Sequence, residues 1–226
     1  MRNHYRCNKK IIDFNNKKYY NSKLQVQSDS RERQPLVYVN VDGGPGDMKN
    51  TSPAEVEEIM RYAGENPDKS IAVITPFVNQ RILIERGIKE NGFEHVVCGT
   101  VHAFQGDEKD VVLFSTALSD RTGKGTYDWL KNNKELINVA TSRAKDKLIL
   151  LADGKELERL HQGNEDDDLY ELVQYVKMNG ESKITEKHIS SRALGIQPFS
   201  TETEAAFMKN LTHALENIWL TRNKYP

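Results

Sequence analysis

The sequence has little cysteine, no long apolar run and almost no net charge. Cys7 and Cys98 are the only two cysteines in 226 residues, which excludes a disulfide scaffold and a cysteine zinc cluster and fits a reducing cytoplasm. No apolar stretch approaches the ~20 residues that span a bilayer. The first six residues lack a signal-peptide core, so we expect neither secretion nor membrane insertion. Hydrophobic residues make up 37% of the chain and charged residues 29%, as in a globular protein.

The formal net charge of −1 excludes a uniform electrostatic field for nucleic acid, but the charge is unevenly distributed. The first 24 residues combine seven basic side chains with one acid: Arg2, Arg6, Lys9, Lys10, Lys17, Lys18 and Lys23 against Asp13. Such an arm can bind a phosphate backbone, or it can be the solvated face of a helix. Composition leaves both interpretations open.

Apolar runs that alternate with helical patterns predict the fold. Strands are predicted at residues 36–41, 71–75, 95–100, 111–116 and 147–152. Helices are predicted from Ser52, over 79–91, over 129–143 in two pieces, and over 155–160. Unbroken apolar strands separated by helices indicate an α/β fold with a mostly parallel sheet covered on both faces.

Two helices allow detailed predictions. Ser52, Pro53 and Glu55 form the pattern of a capping box with proline at the first helical position. In the helix over 79–91, Ile82, Leu83 and Ile88 are expected to face the core.

The chain is expected to contain two parts. Residues 1–160 form the α/β domain, and residues 161–226 form a helical extension. The extension includes a helix over 169–177 and a longer helix after Thr201. The apolar face of that longer helix comprises Phe207, Leu211, Leu215, Ile218 and Trp219. This helix either packs back on the α/β domain or opens a further domain.

Three segments concentrate polar residues where ligands bind α/β sheets, which we expect to be the carboxyl ends of the strands. These segments are residues 4–8, 99–110 and 138–145. In the second, Gly106 permits close approach of the backbone to a ligand, and Glu108 can accept hydrogen bonds from a ribose or order a water. In the third, Arg143 follows small residues that let a guanidinium project.

Four segments, in order, resemble motifs of the superfamily 1 helicases. They are HYRCNKKIIDFNNKKYYNSKL, IAVITPFVNQRILI, GTVHAFQGDEKDVVLFS and NVATSRAKDKLILLAD. The resemblance covers residues 1–153 and points to the branch that includes the nonsense-decay and Okazaki-processing helicases. It implies that residues 1–160 are the second, C-terminal RecA-like motor domain. FSTETEAAFMKNL faintly resembles the first helix of restriction-endonuclease-like domains, with Glu204 as its glutamate.

The resemblance implies roles for seven residues. Arg6 and Arg143 would reach the γ-phosphate of ATP, and Gly106 and Glu108 would contact the nucleotide. The other three are Gln105, which would couple the nucleotide to the nucleic acid, and Thr100 and His102, which would lie near the backbone of a bound single strand. Asn8 departs from the family pattern, which usually has histidine there.

One motif is missing. The sequence contains no G-x-x-x-x-G-K-[ST], the loop that holds phosphates and Mg²⁺. We therefore expect the phosphate loop and the Mg²⁺ ligands on an N-terminal RecA-like domain of the same protein, and no metal ligands here. The chain then starts within a motif, as a fragment would, and alone it is expected to bind ATP weakly and hydrolyse none.

The expected function is thus that of a motor-domain fragment of an ATP-dependent helicase acting on single-stranded nucleic acid, with DNA favoured over RNA by the nuclease-like tail. The alternative is a non-catalytic nucleic-acid-binding or regulatory module with the same fold. The first requires Arg6, Glu108 and Arg143 to converge on one edge, whereas the second does not. A self-contained small-molecule enzyme needs a complete acid–base or nucleophile set, and the sequence offers none.

Overall fold

The computed structural model describes residues 7–26, 28, 30, 32–42, 48–100 and 108–185, and the backbone of Arg2–His4. The strands are β1 Arg2–His4, β2 Leu24–Val26, β3 Leu36–Asn40, β4 Ile71–Ile74, β5 Val96–Gly99, β6 Lys109–Ser115, β7 Ala144–Ala152 and β8 Glu181–Ile184. The helices are α1 Lys9–Tyr19, α2 Pro53–Glu65, α3 Val78–Asn91, α4 Lys124–Lys131, α5 Lys134–Ser142, α6 Gly154–His161 and α7 Asp168–Asn179.

Six of these strands form one parallel sheet in the order β5-β4-β6-β7-β3-β8. Its centre is set by β6 and β7, in which Val112 pairs with Leu148 and Phe114 with Leu150. The architecture is α/β with a parallel sheet, as the sequence predicted. A separate two-stranded parallel sheet, β1-β2, joins the two ends of the N-terminal segment and was not predicted.

Alternation along the strands divides the core between the two faces of the sheet. On one face, Tyr38, Phe114 and Leu150 belong to a cluster that also contains residues of α1, α4, α5 and α7. On the other face, Val39 and Leu113 belong to a cluster completed by residues of α2 and α3. Both faces of the sheet are therefore covered by helices.

Helix α3 corrects one sequence prediction. Its fully buried side chains are Gln80 and Ile84, whereas Ile82 is 45% exposed. Ile88 is partly buried against the core, as expected. The polar Gln80 sets the inward face because it bonds to groups beneath α3, so the apolar residues alone indicated the wrong rotation of the helix.

The described unit extends beyond the expected boundary at residue 160. The chain divides into two units, Met1–Thr185 and Glu186–Pro226, of which only the first is described. β8 belongs to the first because it pairs with β3, from Val37–Glu181 to Asn40–Ile184. The second unit, with Glu204 and the predicted long helix, lies outside the described residues. Across the described residues, no helix has both the length and the hydropathy that a membrane crossing needs.

Candidate functional site

Glu108 and Arg143 lie next to each other at one edge of the sheet. Glu108 precedes β6 and Arg143 precedes β7, and these two strands are neighbours. The backbone N–H of Lys109 donates to the carbonyl of Arg143 at 3.2 Å. This edge is formed by the amino ends of the strands. The expectation that these residues lie at carboxyl ends was therefore wrong, since both precede their strands in the chain.

The start of α1 lies at the same edge. The thiol of Cys7 donates to the carbonyl of Ser142 at 2.9 Å, and the backbone N–H of Asn8 donates to the carbonyl of Lys145 at 2.8 Å. Cys7 follows Arg6 directly in the chain. Arg6 lies outside the described residues, so its role in the site stays a prediction.

The Arg143 side chain is half-buried, and its Nε is buried without a hydrogen-bond partner among the described residues. The helix before it is fixed by Thr141, whose hydroxyl accepts from Asn15 Nδ2 at 2.6 Å and donates to the Ile137 carbonyl at 2.8 Å. A buried guanidinium N–H requires an acceptor, and anionic oxygens are its strongest partners. The Arg143 Nε–H is therefore a donor that an anionic oxygen could satisfy.

Thr100 lies at the opposite edge. It follows β5, whose last residue, Gly99, accepts from the Thr75 backbone N–H at 3.2 Å. The Thr75 hydroxyl is buried and has no partner within the described residues. The sequence prediction grouped the expected nucleotide-binding and nucleic-acid-binding residues together. In the structure, Thr100 lies at the carboxyl ends of the strands, and Glu108 and Arg143 lie at their amino ends.

Residues 101–107 join the two edges. They follow Thr100 at the carboxyl end of β5 and precede Glu108 at the amino end of β6. The segment contains His102, Gln105 and Gly106, which all lie outside the described residues, so their predicted roles remain untested.

Sequence reasoning missed the chemistry of Glu55. Its carboxylate is fully buried and accepts from Ser115 Oγ at 2.5 Å and Thr116 Oγ1 at 3.2 Å. Burial outweighs these donors and raises the pKa of Glu55 from 4.5 to about 8. The sequence feature that could have revealed this site is the pair of hydroxyl residues Ser115 and Thr116 at the end of β6, which bond to Glu55 in the first turn of α2.

The predicted capping box is half right. Ser52 caps α2 by accepting from the Glu55 backbone N–H at 3.3 Å. In a complete capping box the Ser52 N–H would donate to the Glu55 side chain. Here it donates to Gln80 Oε1 at 2.8 Å, because the Glu55 carboxyl group is turned towards the sheet. Among the described residues, no group of three side chains could hold a metal ion.

Comparison with known proteins gives a consistent result. The family model described as "AAA domain" matches residues 47–155. An uncharacterized ATP-dependent helicase of Methanocaldococcus jannaschii is 28% identical over 211 residues, 81% of this chain and 30% of that protein. The regulator of nonsense transcripts 1 homolog of Drosophila melanogaster is 27% identical, over 68% of this chain and 15% of that protein.

A third relative is the human DNA replication ATP-dependent helicase/nuclease DNA2. It is 27% identical over 65% of this chain and 18% of its own length. The chain therefore spans less than a third of each of these three relatives. One is named for nonsense transcripts and one for DNA replication, so the names leave the type of nucleic acid open.

Proposed function

Since the chain belongs to the superfamily 1 helicases, whose C-terminal RecA-like domain it contains, we propose that it is the second motor domain of an ATP-dependent helicase. In this proposal it supplies arginine side chains to an ATP site completed by a phosphate-loop domain of the same protein. Its other edge forms part of the track for a single strand.

The observation that supports this proposal best is the meeting of three separate segments at the amino edge of the sheet. The segment after Arg6 bonds through Cys7 and Asn8 to the carbonyls of Ser142 and Lys145, and Lys109 at the start of β6 donates to the carbonyl of Arg143. These are the segments to which the helicase resemblance assigns nucleotide contacts. A dispersed arrangement would favour the non-catalytic alternative.

At this edge, the side chains supply charge and hydrogen bonds to a triphosphate. The guanidinium of Arg143, and that of Arg6 by the resemblance, would neutralise negative charge that develops on the γ-phosphate, an effect worth ~10³–10⁵ in rate. Glu108 would accept from the ribose or order a water. Bound ATP supplies a phosphoanhydride bond whose cleavage releases free energy, and Mg²⁺ would be held by the phosphate-loop domain.

At the carboxyl edge, Thr100 would bind the phosphate backbone of a single strand, with His102 beside it. Backbone contacts read little sequence, as in other single-strand tracks. DNA remains our expectation, because of the resemblance of the C-terminal segment to nuclease domains. Strand type is tested by comparing a DNA and an RNA oligonucleotide of the same sequence.

Residues 101–107 would carry the coupling between the two edges. Glu108 responds to the nucleotide and Thr100 to the strand, and the seven residues between them include Gln105 and Gly106. Because only seven residues connect Thr100 to Glu108, a displacement of Glu108 would also displace Thr100. Each cycle of phosphate binding and release would therefore shift the strand contacts.

The experiment is nucleic-acid-stimulated ATP hydrolysis by the protein that carries this chain together with its phosphate-loop domain. Arg143→Ala should lower kcat about 10³-fold, and Arg143→Lys should restore little because a point charge does not replace the planar fork. The matched control is Arg86→Ala, on the exposed face of α3. Unchanged kcat in Arg143→Ala, with intact strand binding, would favour the non-catalytic module.

A further inference from the structure

The backbone around Arg143 is held by three hydrogen bonds from two other segments. The Ser142 carbonyl accepts from the Cys7 thiol at 2.9 Å. The Arg143 carbonyl accepts from Lys109 N at 3.2 Å, and the Lys145 carbonyl accepts from Asn8 N at 2.8 Å. The bonds from Cys7 and Asn8 therefore lie on either side of Arg143.

One side of this contact is buried, although Ser142 is half-buried and Lys145 is exposed. Cys7 is 0% exposed and Asn8 is 7% exposed. A donor on the buried side of such a contact meets less competition from solvent, and leaving it without its partner is costly. The two bonds, made from buried donors, are thus able to fix the position of the segment.

The Asn8 side chain fixes the start of α1 in turn. Its Oδ1 accepts from Lys10 N at 3.0 Å, which caps the helix. Its Nδ2 donates to Ser30 Oγ at 3.2 Å and to the Glu32 carbonyl at 3.3 Å. The backbone that follows Arg6 therefore has little freedom to rotate or to slide along α5.

We propose that Cys7 is a positioning residue that holds the segment bearing Arg6 against the helix end bearing Arg143. The two hydrogen bonds, to Ser142 and Lys145, set both the distance of this segment from the end of α5 and its orientation. A single hydrogen bond would let the segment rotate. The proposal rests on the proposed function, since it matters for rate only if the two arginines act on one nucleotide. Small displacements of charged groups from a reacting phosphate slow the reaction steeply.

The residue at position 7 must therefore be small and must donate a hydrogen bond. Cysteine meets both requirements with its S–H group. Serine keeps a donor of similar size, whereas alanine keeps the backbone and loses the donor. The pair Cys7→Ser and Cys7→Ala thus separates the hydrogen bond from the packing.

The test measures ATP hydrolysis by the protein that carries this chain and its phosphate-loop domain. Cys7→Ala should lower kcat about three- to tenfold, the range expected for one lost hydrogen bond, with KM for ATP unchanged. Cys7→Ser should retain most of the wild-type kcat. Cys98→Ala, which removes the other thiol in β5, is the control and should leave kcat unchanged.

A second background shows whether Cys7 acts through Arg6. In Arg6→Ala protein, the change Cys7→Ala should have no further effect on kcat, because the group that it positions is gone. An equal drop in both backgrounds, or equal kcat for Cys7→Ala and wild type, would overturn the proposal. If Cys7→Ala does not fold, Asn8→Ala, which keeps the bond to Lys145 but loosens the cap, takes its place with the same expected dependence on Arg6.

The two proposals fail in different ways. If Arg143→Ala keeps full kcat, the proposed function is wrong and the positioning role falls with it. If Arg143→Ala abolishes turnover while Cys7→Ala changes nothing, only the positioning role is wrong.

Discussion

The backbone N–H of Ala117 donates to both carboxylate oxygens of Glu55, at 3.0 Å each. Ala117 is fully buried and has a positive φ of 51°, a conformation that few residues other than glycine adopt. In this conformation the Ala117 N–H points towards the carboxyl group of Glu55. Helix α2 is thereby attached through its first turn to the chain that leaves the end of β6.

This buried carboxyl predicts a pH dependence of stability. The raised pKa of Glu55, about 8 in the folded chain against 4.5 without burial, means that folding favours the protonated form. The stabilisation is complete below pH 4.5 and is lost as the pH rises to about 8. Denaturant titrations at a series of pH values should show wild type losing stability relative to Glu55→Gln across this window.

Glu57→Gln, on the exposed face of the same helix, is the control and should follow the wild-type pH profile. A difference between wild type and Glu55→Gln that stays constant from pH 5 to pH 8 would contradict the argument.

Gln80 is expected to be important for stability although it is polar. It is fully buried, accepts from Ser52 N at 2.8 Å, and donates to Ser115 Oγ at 3.0 Å. Gln80→Ala leaves the buried Ser52 N–H without an acceptor, removes the donor to Ser115 Oγ and opens a cavity, at a cost of about 2–4 kcal/mol in the free energy of unfolding. Urea denaturation measures this cost. The exposed Gln34→Ala should change nothing, and equal stabilities for the two variants would refute the prediction.

Gly180, between α7 and β8, is expected to tolerate no side chain. A Cβ there would clash with the backbone oxygen of Leu36 and lie 2.6 Å from the Leu36 Cβ. Gly180→Ala must therefore move β8 away from β3, at about 1–3 kcal/mol. Gly125→Ala in α4, where a Cβ meets nothing within 4 Å, should be neutral or slightly stabilising. Thermal unfolding of the two variants compares them, and a Gly180→Ala protein as stable as wild type would show that the strand adapts.

Much of the fold could be predicted from local sequence. Strand and helix positions followed from apolar runs such as Ile71–Ile74 and from the Ser52 cap, because these signals are contained in neighbouring residues. The order of the strands could not be predicted, since the pairing of Leu36 with Leu148 joins residues far apart in the chain. The inward face of α3 was misjudged for the same reason: Gln80 is buried by partners on α2 and β6.

The residues of the candidate site were predicted, but their location at the amino ends of the strands was not. Motif resemblance selected Arg143 and Glu108, which the structure brings together through Lys109. It did not reveal the amino edge, because the rule for carboxyl ends assumes residues that follow their strands. Sequence reasoning assigned Cys7 no positioning role and noted Asn8 only as a departure from the family pattern, since their contacts depend on carbonyl groups at Ser142 and Lys145.

The most direct test of the account is a structure of this chain together with its phosphate-loop domain and a phosphoryl-transfer transition-state analogue. The measured quantity is the distance from each guanidinium group to the analogue. The account predicts that Arg6 and Arg143 both contact the γ-phosphate position, with Glu108 at the same nucleotide. Guanidinium groups directed to unrelated surfaces, with the nucleotide bound elsewhere, would contradict it.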